Sequence, residues 1–189
     1  MENPGATTIL GVIADTHVPD RIGHLRSGII QAFQSASVNA ILHAGDVSVP
    51  RVLEELTQVA PVYAVRGNRD WVRLGNLPLR LNLTFGDYQV GLIHGQGNLR
   101  RYLLNKLDYY RKGYQFDLYR EYLVDEFPQE DVIIFGHSHV PVRKWINSQL
   151  LFNPGSACCW SDDGLPPSIG LLYLGPSREE IHAELVELA

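Results

Sequence analysis

Within the first 70 residues, three short apolar runs alternate with two amphipathic stretches. Residues 7–14, 39–43 and 61–67 are the apolar runs, each of strand length. Between the first two, Leu25, Ile29 (with Ile30) and Phe33 recur at helical spacing. Between the second and third, residues 48–59 offer Ser48 as an N-cap and Pro50 in the first turn of a helix. This β-α-β-α-β order confines the fold to a parallel sheet with right-handed crossovers. The near-continuous apolar character of the first run predicts a strand buried on both faces.

The texture then changes. Leu79, Leu81, Leu83 and Phe85 alternate, Gly86-Asp87 turns, and Tyr88, Val90 and Leu92 resume the alternation. That is a hairpin pattern. Between residues 98 and 127 lie two helical stretches, parted at Gly113. One carries Leu99, Leu103, Leu107, Tyr110 and Tyr114 on a stripe; the other carries Phe116, Tyr119, Tyr122 and Phe127. Strands follow at 131–136, 140–147, 150–153 and 168–174, while residues 179–188 suit either a strand or a short helix. With no repeat, low-complexity tract or linker in view, the 189 residues are expected to form one α/β domain with a helical insert at about 98–127.

The charge balance restricts partners. Sixteen basic residues against 21 acidic ones leave a net charge of −5, which disfavours long nucleic acid as a ligand. Any anionic substrate must be attracted locally. The two cysteines, Cys158 and Cys159, are adjacent, which is neither a disulfide framework nor a zinc-ribbon spacing, and beside Trp160 they read as packing. The start MENPGATTIL lacks the charged flank and apolar core of a signal peptide. No apolar run reaches the roughly 20 residues of a membrane helix. A cytoplasmic protein without membrane contact is expected.

The ends of the apolar runs share a chemistry. The first ends in Asp15-Thr16-His17, the second in His43-Ala44-Gly45-Asp46 and the third in Gly67-Asn68-Arg69-Asp70. The hairpin's return strand ends in His94-Gly95, and the strand at 131–136 ends in Gly136-His137-Ser138-His139. In open α/β sheets ligands bind beyond the carboxyl ends of the strands. The pattern would therefore pool imidazoles, carboxylates and an amide at one edge. Those donors suit borderline divalent ions such as manganese, iron, nickel, cobalt or zinc, and the lack of thiolates disfavours a closed structural zinc site.

The ordered set D-x-H, G-D, G-N-x-D, H-G and G-H-S-H resembles the calcineurin-like metallophosphoesterases, in particular the small YfcE-type phosphodiesterases. Asn153-Pro154-Gly155-Ser156 resembles them too. The resemblance implies a four-layer α-β-β-α sandwich of two mixed sheets flanked by helices. It implies that Asp15, His17, Asp46 and His139 bind one metal, and that Asp46 bridges to a second metal completed by Asn68, His94 and His137. Two divalent transition-metal ions are the implied cofactors, manganese first. Asp46, Asn68, Arg69 and His94 are the residues expected to bear on catalysis. The implied reaction is hydrolysis of a small phosphodiester or other phosphate ester by a metal-bridging hydroxide. Two rival functions remain: a non-catalytic scaffold built on the same fold, as in the small retromer subunit, and a nuclease or RNA-processing phosphodiesterase.

One position departs from many relatives, which have histidine after the asparagine where this chain has Arg69. A guanidinium cannot donate a proton usefully but can fork onto phosphate oxygens. Preference for diesters or good leaving groups is the expectation. Among the other histidines, His43 reads as a buried support, His24 as a loop residue and His182 as solvated. Five basic residues in the insert, Arg100, Arg101, Lys106, Arg111 and Lys112, are interleaved with tyrosines and opposed by Asp108 alone. An amphipathic pair with solvated charges, a flank holding a phosphodiester, and a homo-oligomer interface are the three readings.

Overall fold

The computed structural model describes residues 7–98, 100, 102, 107, 111, 113–159 and 164–188. The parallel beginning forms as the pattern predicts. Strand β1 (Thr8–Ile13) is followed by α1 (Ser27–Ser35), β2 (Ala40–His43), α2 (Pro50–Thr57) and β3 (Val62–Ala64). The hairpin is β4 (Arg80–Phe85) and β5 (Tyr88–Ile93). Helix α3 (Phe116–Glu126) then leads to β6 (Val132–Ile134), β7 (Val142–Ile146), β8 (Gln149–Asn153), β9 (Ser168–Leu174) and β10 (His182–Glu187).

The strands make two five-stranded mixed sheets, ordered β10-β9-β1-β2-β3 and β4-β5-β6-β8-β7. Within the first, β1, β2 and β3 are parallel, and β9 runs antiparallel to β1. Within the second, β5, β6 and β8 are parallel, with β4 and β7 antiparallel at the two edges. Strand alternation explains the layers. Leu10 and Val12 of β1, Leu42 of β2, Val90 and Leu92 of β5 and Phe152 of β8 fill the space between the sheets. Ile13 and Ile41 point the other way, onto α1 and α2, with Ile29, Phe33, Val52 and Leu56. Ile93, Ile133 and Leu151 meet Leu123 and Phe127 at the α3 end of the second sheet. Phe33 stands over Gly11, where a Cβ would lie 2.8 Å from the ring, so this helix rests closer to the sheet than any side chain would allow.

Three sequence expectations needed the tertiary structure. Residues 178–180 form a 3-10 turn, and the chain then enters a strand in which Ala183 and Leu185 pair with Leu172 and Gly170 of β9. Ser48 does not cap α2: the N-cap is Val49, with no side-chain cap bond. The Ser48 N–H is instead taken by Asp70 and its hydroxyl by Asp20, which fixes its backbone at φ +74° outside the helix. Leu107, expected on a buried stripe, is 49 % exposed, because α3 already covers the outer face of the second sheet. Its stripe partners Leu99, Leu103 and Tyr110 lie outside the described residues, as do Arg101, Lys106, Asp108, Lys112 and Trp160. Gly113, at φ +72°, stands between the helical residues 100, 102, 107 and 111 and α3.

Candidate metal centre

Residues two apart share a strand face but stand about 6.6 Å from each other along it, so Asp15 and His17 reach one ion only because the backbone leaves the strand conformation. Both have positive φ, +53° and +47°, and so do Asp46 (+55°), His137 (+69°) and His139 (+58°). For residues with a Cβ this left-handed conformation costs roughly 1–2 kcal/mol each. Five such positions among the eight residues singled out make a concentration of strain of the kind found at functional sites. Backbone bonds lock the loops together: Asp15 N–H donates to Gly45 O at 3.0 Å and His17 N–H to Asp46 O at 3.1 Å. The second sheet joins through His137 N–H to the Asp15 carboxylate, 3.0 Å.

The side chains converge. Asp15 Oδ1 lies 3.4 Å from His139 Nε2 and 3.7 Å from His17 Nε2, and the two imidazole nitrogens are 3.1 Å apart. Asp46 turns one oxygen to each side: Oδ2 is 3.8 Å from His17 Nε2 and Oδ1 is 3.5 Å from His94 Nε2. His137 Nδ1 is 3.3 Å from His94 Nε2. An ion with bonds of about 2.1 Å holds neighbouring donor atoms about 3.0–3.4 Å apart, so these separations suit ligation. Among the described residues, two groups of donors are close enough to hold a cation: Asp15, His17 and His139, and Asp15, Asp46 and His94. Asp15 is thus common to both groups, whereas Asp46, the acid expected to bridge the two ions, belongs to the second group, with its other oxygen 3.8 Å from His17 Nε2.

Unpaired polar atoms mark the same place. Asp15 Oδ1, His17 Nδ1 and Asn68 Oδ1 are buried without a hydrogen-bond partner. Buried polar atoms are rarely left so, and a carboxylate and an amide oxygen are natural cation ligands. His94 donates from Nδ1 to Ala44 O at 2.6 Å, which leaves Nε2 as the free lone pair. Burial drives the His17 imidazole down to about 4, against the pull of Asp15, and the His137 imidazole down to about 3. Both are therefore neutral near pH 7, as ligands must be. Burial opposes ionisation of Asp15, but His139, His94 and His17 outweigh it and hold the carboxyl below the ordinary range.

A supporting layer fixes these groups. Asp70, fully buried, accepts backbone N–H bonds from Asp46 (3.0 Å), Gly67 (2.8 Å) and Ser48 (2.7 Å). Sequence reasoning missed this role; the fixed G-N-x-D spacing was the available signal. A Cβ on Gly67 would overlap the Asp46 carboxylate, so only glycine lets the two loops touch. His43 accepts the Gly45 N–H through Nδ1 at 3.2 Å and meets Thr16 Oγ1 at 3.1 Å through Nε2. Asn153 Nδ2 donates to Gly136 O and Ser138 Oγ, and Ser156 Oγ donates to Asp15 O. The N-P-G-S segment thereby props both the D-x-H and G-H-S-H loops.

The rim has two sides. Arg69 donates its backbone N–H to Asp46 Oδ1 at 2.8 Å, and its half-exposed guanidinium lies 3.9 Å from Asp20. Across the site, the Tyr102 and Tyr119 rings lie 5.7 and 6.4 Å from the His137 ring. Cys158 is buried, and its carbonyl accepts two hydrogen bonds from Arg26; Cys159 Sγ receives one from Arg21 at 3.3 Å. His24 is exposed in a loop, and His182 is largely exposed and stacks on Tyr173. Among the described residues, no helix is long and apolar enough to cross a membrane.

Comparison with known proteins agrees with this geometry. Residues 9–175 match the model of the calcineurin-like phosphoesterase superfamily domain. A probable metallophosphoesterase of Methanothermobacter thermautotrophicus is 36 % identical over 148 residues, 78 % of this chain and 76 % of that protein. A phosphodiesterase of Methanocaldococcus jannaschii is 25 % identical across 86 % of this chain and 91 % of its own. Among solved structures, an archaeal phosphodiesterase superposes with a TM-score of 0.68 at 21 % identity, covering 96 % of this chain and all of its own. Zinc-complexed Vps29 of Entamoeba histolytica shares the fold as well, with a TM-score of 0.69 at 21 % identity over 95 % of this chain and 99 % of its own. The two mixed sheets flanked by helices are the metallophosphoesterase fold. Matched along most of its length, and with a relative above one-third identity, the chain belongs to the calcineurin-like phosphoesterase superfamily.

Proposed function

We propose that this chain is a metal-dependent phosphodiesterase acting on a small substrate. The observation that carries the reading is the convergence of Asp15, His17, Asp46, His94, His137 and His139, with Asp15 Oδ1 and Asn68 Oδ1 buried and unpaired. In this reading Asp15, His17, Asp46 and His139 hold one ion. Asn68, His94 and His137 hold a second, and Asp46 spans both, manganese being the first choice of metal. Two divalent cations, when bound, would offset phosphate charge and lower the pKa of a water molecule. The chain's own residues would do the rest. His94, oriented through Ala44 O, and Asp46, oriented by Asp70, keep the site geometry rigid. Arg69, anchored through its backbone on Asp46, could fork onto a phosphate oxygen but cannot protonate a leaving group. Diesters and good leaving groups are favoured over alkyl monoesters for that reason.

The test compares a chromogenic diester with its matching monoester, metal-free and with manganese, nickel, zinc or magnesium. Manganese-dependent cleavage that favours the diester, and its loss in Asp46→Ala, is the expected result. Turnover retained in Asp46→Ala would refute a shared-carboxylate, two-ion mechanism. Faster cleavage of alkyl monoesters would refute the role given to Arg69. Metal binding without turnover on any ester would favour a non-catalytic scaffold.

A further inference from the structure

Residues 66–80 carry four arginines, Arg66, Arg69, Arg73 and Arg80, in a chain whose net charge is −5. Their one acid, Asp70, is turned inward, where three backbone N–H groups hold it. Outside it, Arg69 lies 3.9 Å from Asp20 and Arg80 lies 2.6 Å from Glu126, so Arg66 and Arg73 are the guanidinium groups of the segment with no acid partner among the described residues. Its apex is Trp71-Val72-Arg73, with Trp71 65 % and Val72 93 % exposed. Arg73 is exposed, and among the described residues it makes no ion pair.

That exposure belongs to a pinned turn. Leu74 N–H donates to Asp70 O at 2.9 Å, and the Leu74 side chain is buried in the core beneath the first sheet. The Arg66 guanidinium lies 4.4 Å from the centre of the Trp71 ring and is itself held by Gly75 O at 2.7 Å. A cation thus supports the ring while most of the side chain stays open to solvent. Trp71 lies two residues beyond Arg69, whose N–H touches Asp46, so its Cα is within about 7 Å of the Arg69 Cα.

An open indole backed by one guanidinium and flanked by two more, at the edge of a phosphoester site, is what a nucleotide strand requires. Bases stack on the ring without regard to sequence, and phosphates meet the arginines. We propose that Trp71 and Arg73 form a subsite that stacks the base next to the scissile linkage, so that the substrate class is a short single-stranded oligonucleotide. This rests on the phosphodiesterase reading and deepens it. Short strands also fit the charge, since a chain of net −5 can attract phosphates only through local groups of basic residues such as this one.

Binding is measured by fluorescence anisotropy with a fluorescein-labelled tetra-deoxyadenylate bearing phosphorothioate linkages, in manganese, beside an abasic tetramer of equal charge. The wild type should prefer the tetramer with bases. Trp71→Ala should weaken it by about fivefold to 150-fold, the worth of one stacked base, and abolish the preference. Trp71→Phe should stay within about threefold of the wild type, and Arg73→Ala should flatten the salt dependence by about 0.7 in log–log slope. Equal binding of the abasic tetramer, no binding by the wild type, or unchanged affinity in Trp71→Ala overturns the proposal. Loss of self-association by sedimentation in Trp71→Ala, with oligonucleotide affinity intact, also overturns it and makes the patch a contact between copies. Hydrolysis of the chromogenic diester by the wild type is scored in parallel. Diester turnover without Trp71-dependent binding sinks the subsite alone, whereas Trp71-dependent binding without any turnover sinks the hydrolase reading alone.

Discussion

Asp70→Asn changes one oxygen for an amide nitrogen at a fully buried position and nearly preserves shape. One carboxylate oxygen accepts from Asp46 and Gly67, and the other accepts from Ser48. An asparagine that keeps its oxygen on the first pair turns its NH2 toward the Ser48 N–H, donor against donor. Each buried N–H left unpaired costs about 1–3 kcal/mol, and the surviving bonds lose the strengthening of a charged acceptor. Asp70→Asn should therefore destabilise the fold by about 2–4 kcal/mol, and Asp70→Ala, which strands three donors, by about 3–5 kcal/mol after water and relaxation recover part of the loss. Because two of these bonds position Asp46 and the Gly67–Asn68 turn, manganese affinity should fall by about 10- to 100-fold in Asp70→Asn. Urea unfolding of the metal-free protein measures the first effect, and calorimetric titration with manganese the second. A variant within about 0.5 kcal/mol of wild type would refute the clamp, because that is the range of ordinary surface substitutions.

Gly67→Ala should cost about 1–3 kcal/mol and displace the Asp46 carboxylate, read as a lower urea midpoint and weaker manganese binding; an unchanged midpoint would mean that the loops can separate freely. The metal-free protein should lose stability as pH falls. Burial holds His17 and His43 down to about 4 and His137 down to about 3. Between their ordinary value near 6.5 and those values, the unfolded chain binds protons that the fold refuses. His139 and Asp46 oppose this, since the Asp15 carboxylate outweighs burial and raises the first and burial raises the second, but they are two groups against three. A urea midpoint at pH 4.5 equal to or above that at pH 7.5 would contradict the assignment. Manganese at 100 times its dissociation constant should stabilise the protein by about 2.7 kcal/mol, reversibly with a chelator, and Asp46→Ala should lack that increment in thermal unfolding.

Several features were readable along the chain because they are local. Apolar runs of strand length, helical spacing at Leu25, Ile29 and Phe33, and the Gly86-Asp87 turn each depend on neighbours within a few residues. So does the recurrence of Asp, Asn or His at strand ends, which marks the candidate ligands. Other features were not. Residues 179–188 fit two periodicities, and only the presence of β9 as a partner made a strand of 182–187. Ser48 has the chemistry of a cap, yet Asp70, 22 residues away, took its N–H. Leu107 sits at a stripe position that tertiary packing left uncovered.

The order of elements and the identity of the donor side chains are properties of the sequence itself, since each follows from short-range periodicity and residue type. Convergence is a different matter. Asp15 and His139 are 124 positions apart in the chain and 3.4 Å apart in space. That proximity exists because two separate sheets pack face to face with their carboxyl ends at one edge, and because left-handed backbone at the strand ends turns the side chains inward. Long-range packing also decided which loops share Asp70 and which tryptophan stands open beside the site. Those outcomes depend on contacts between residues far apart in sequence, which no local pattern encodes.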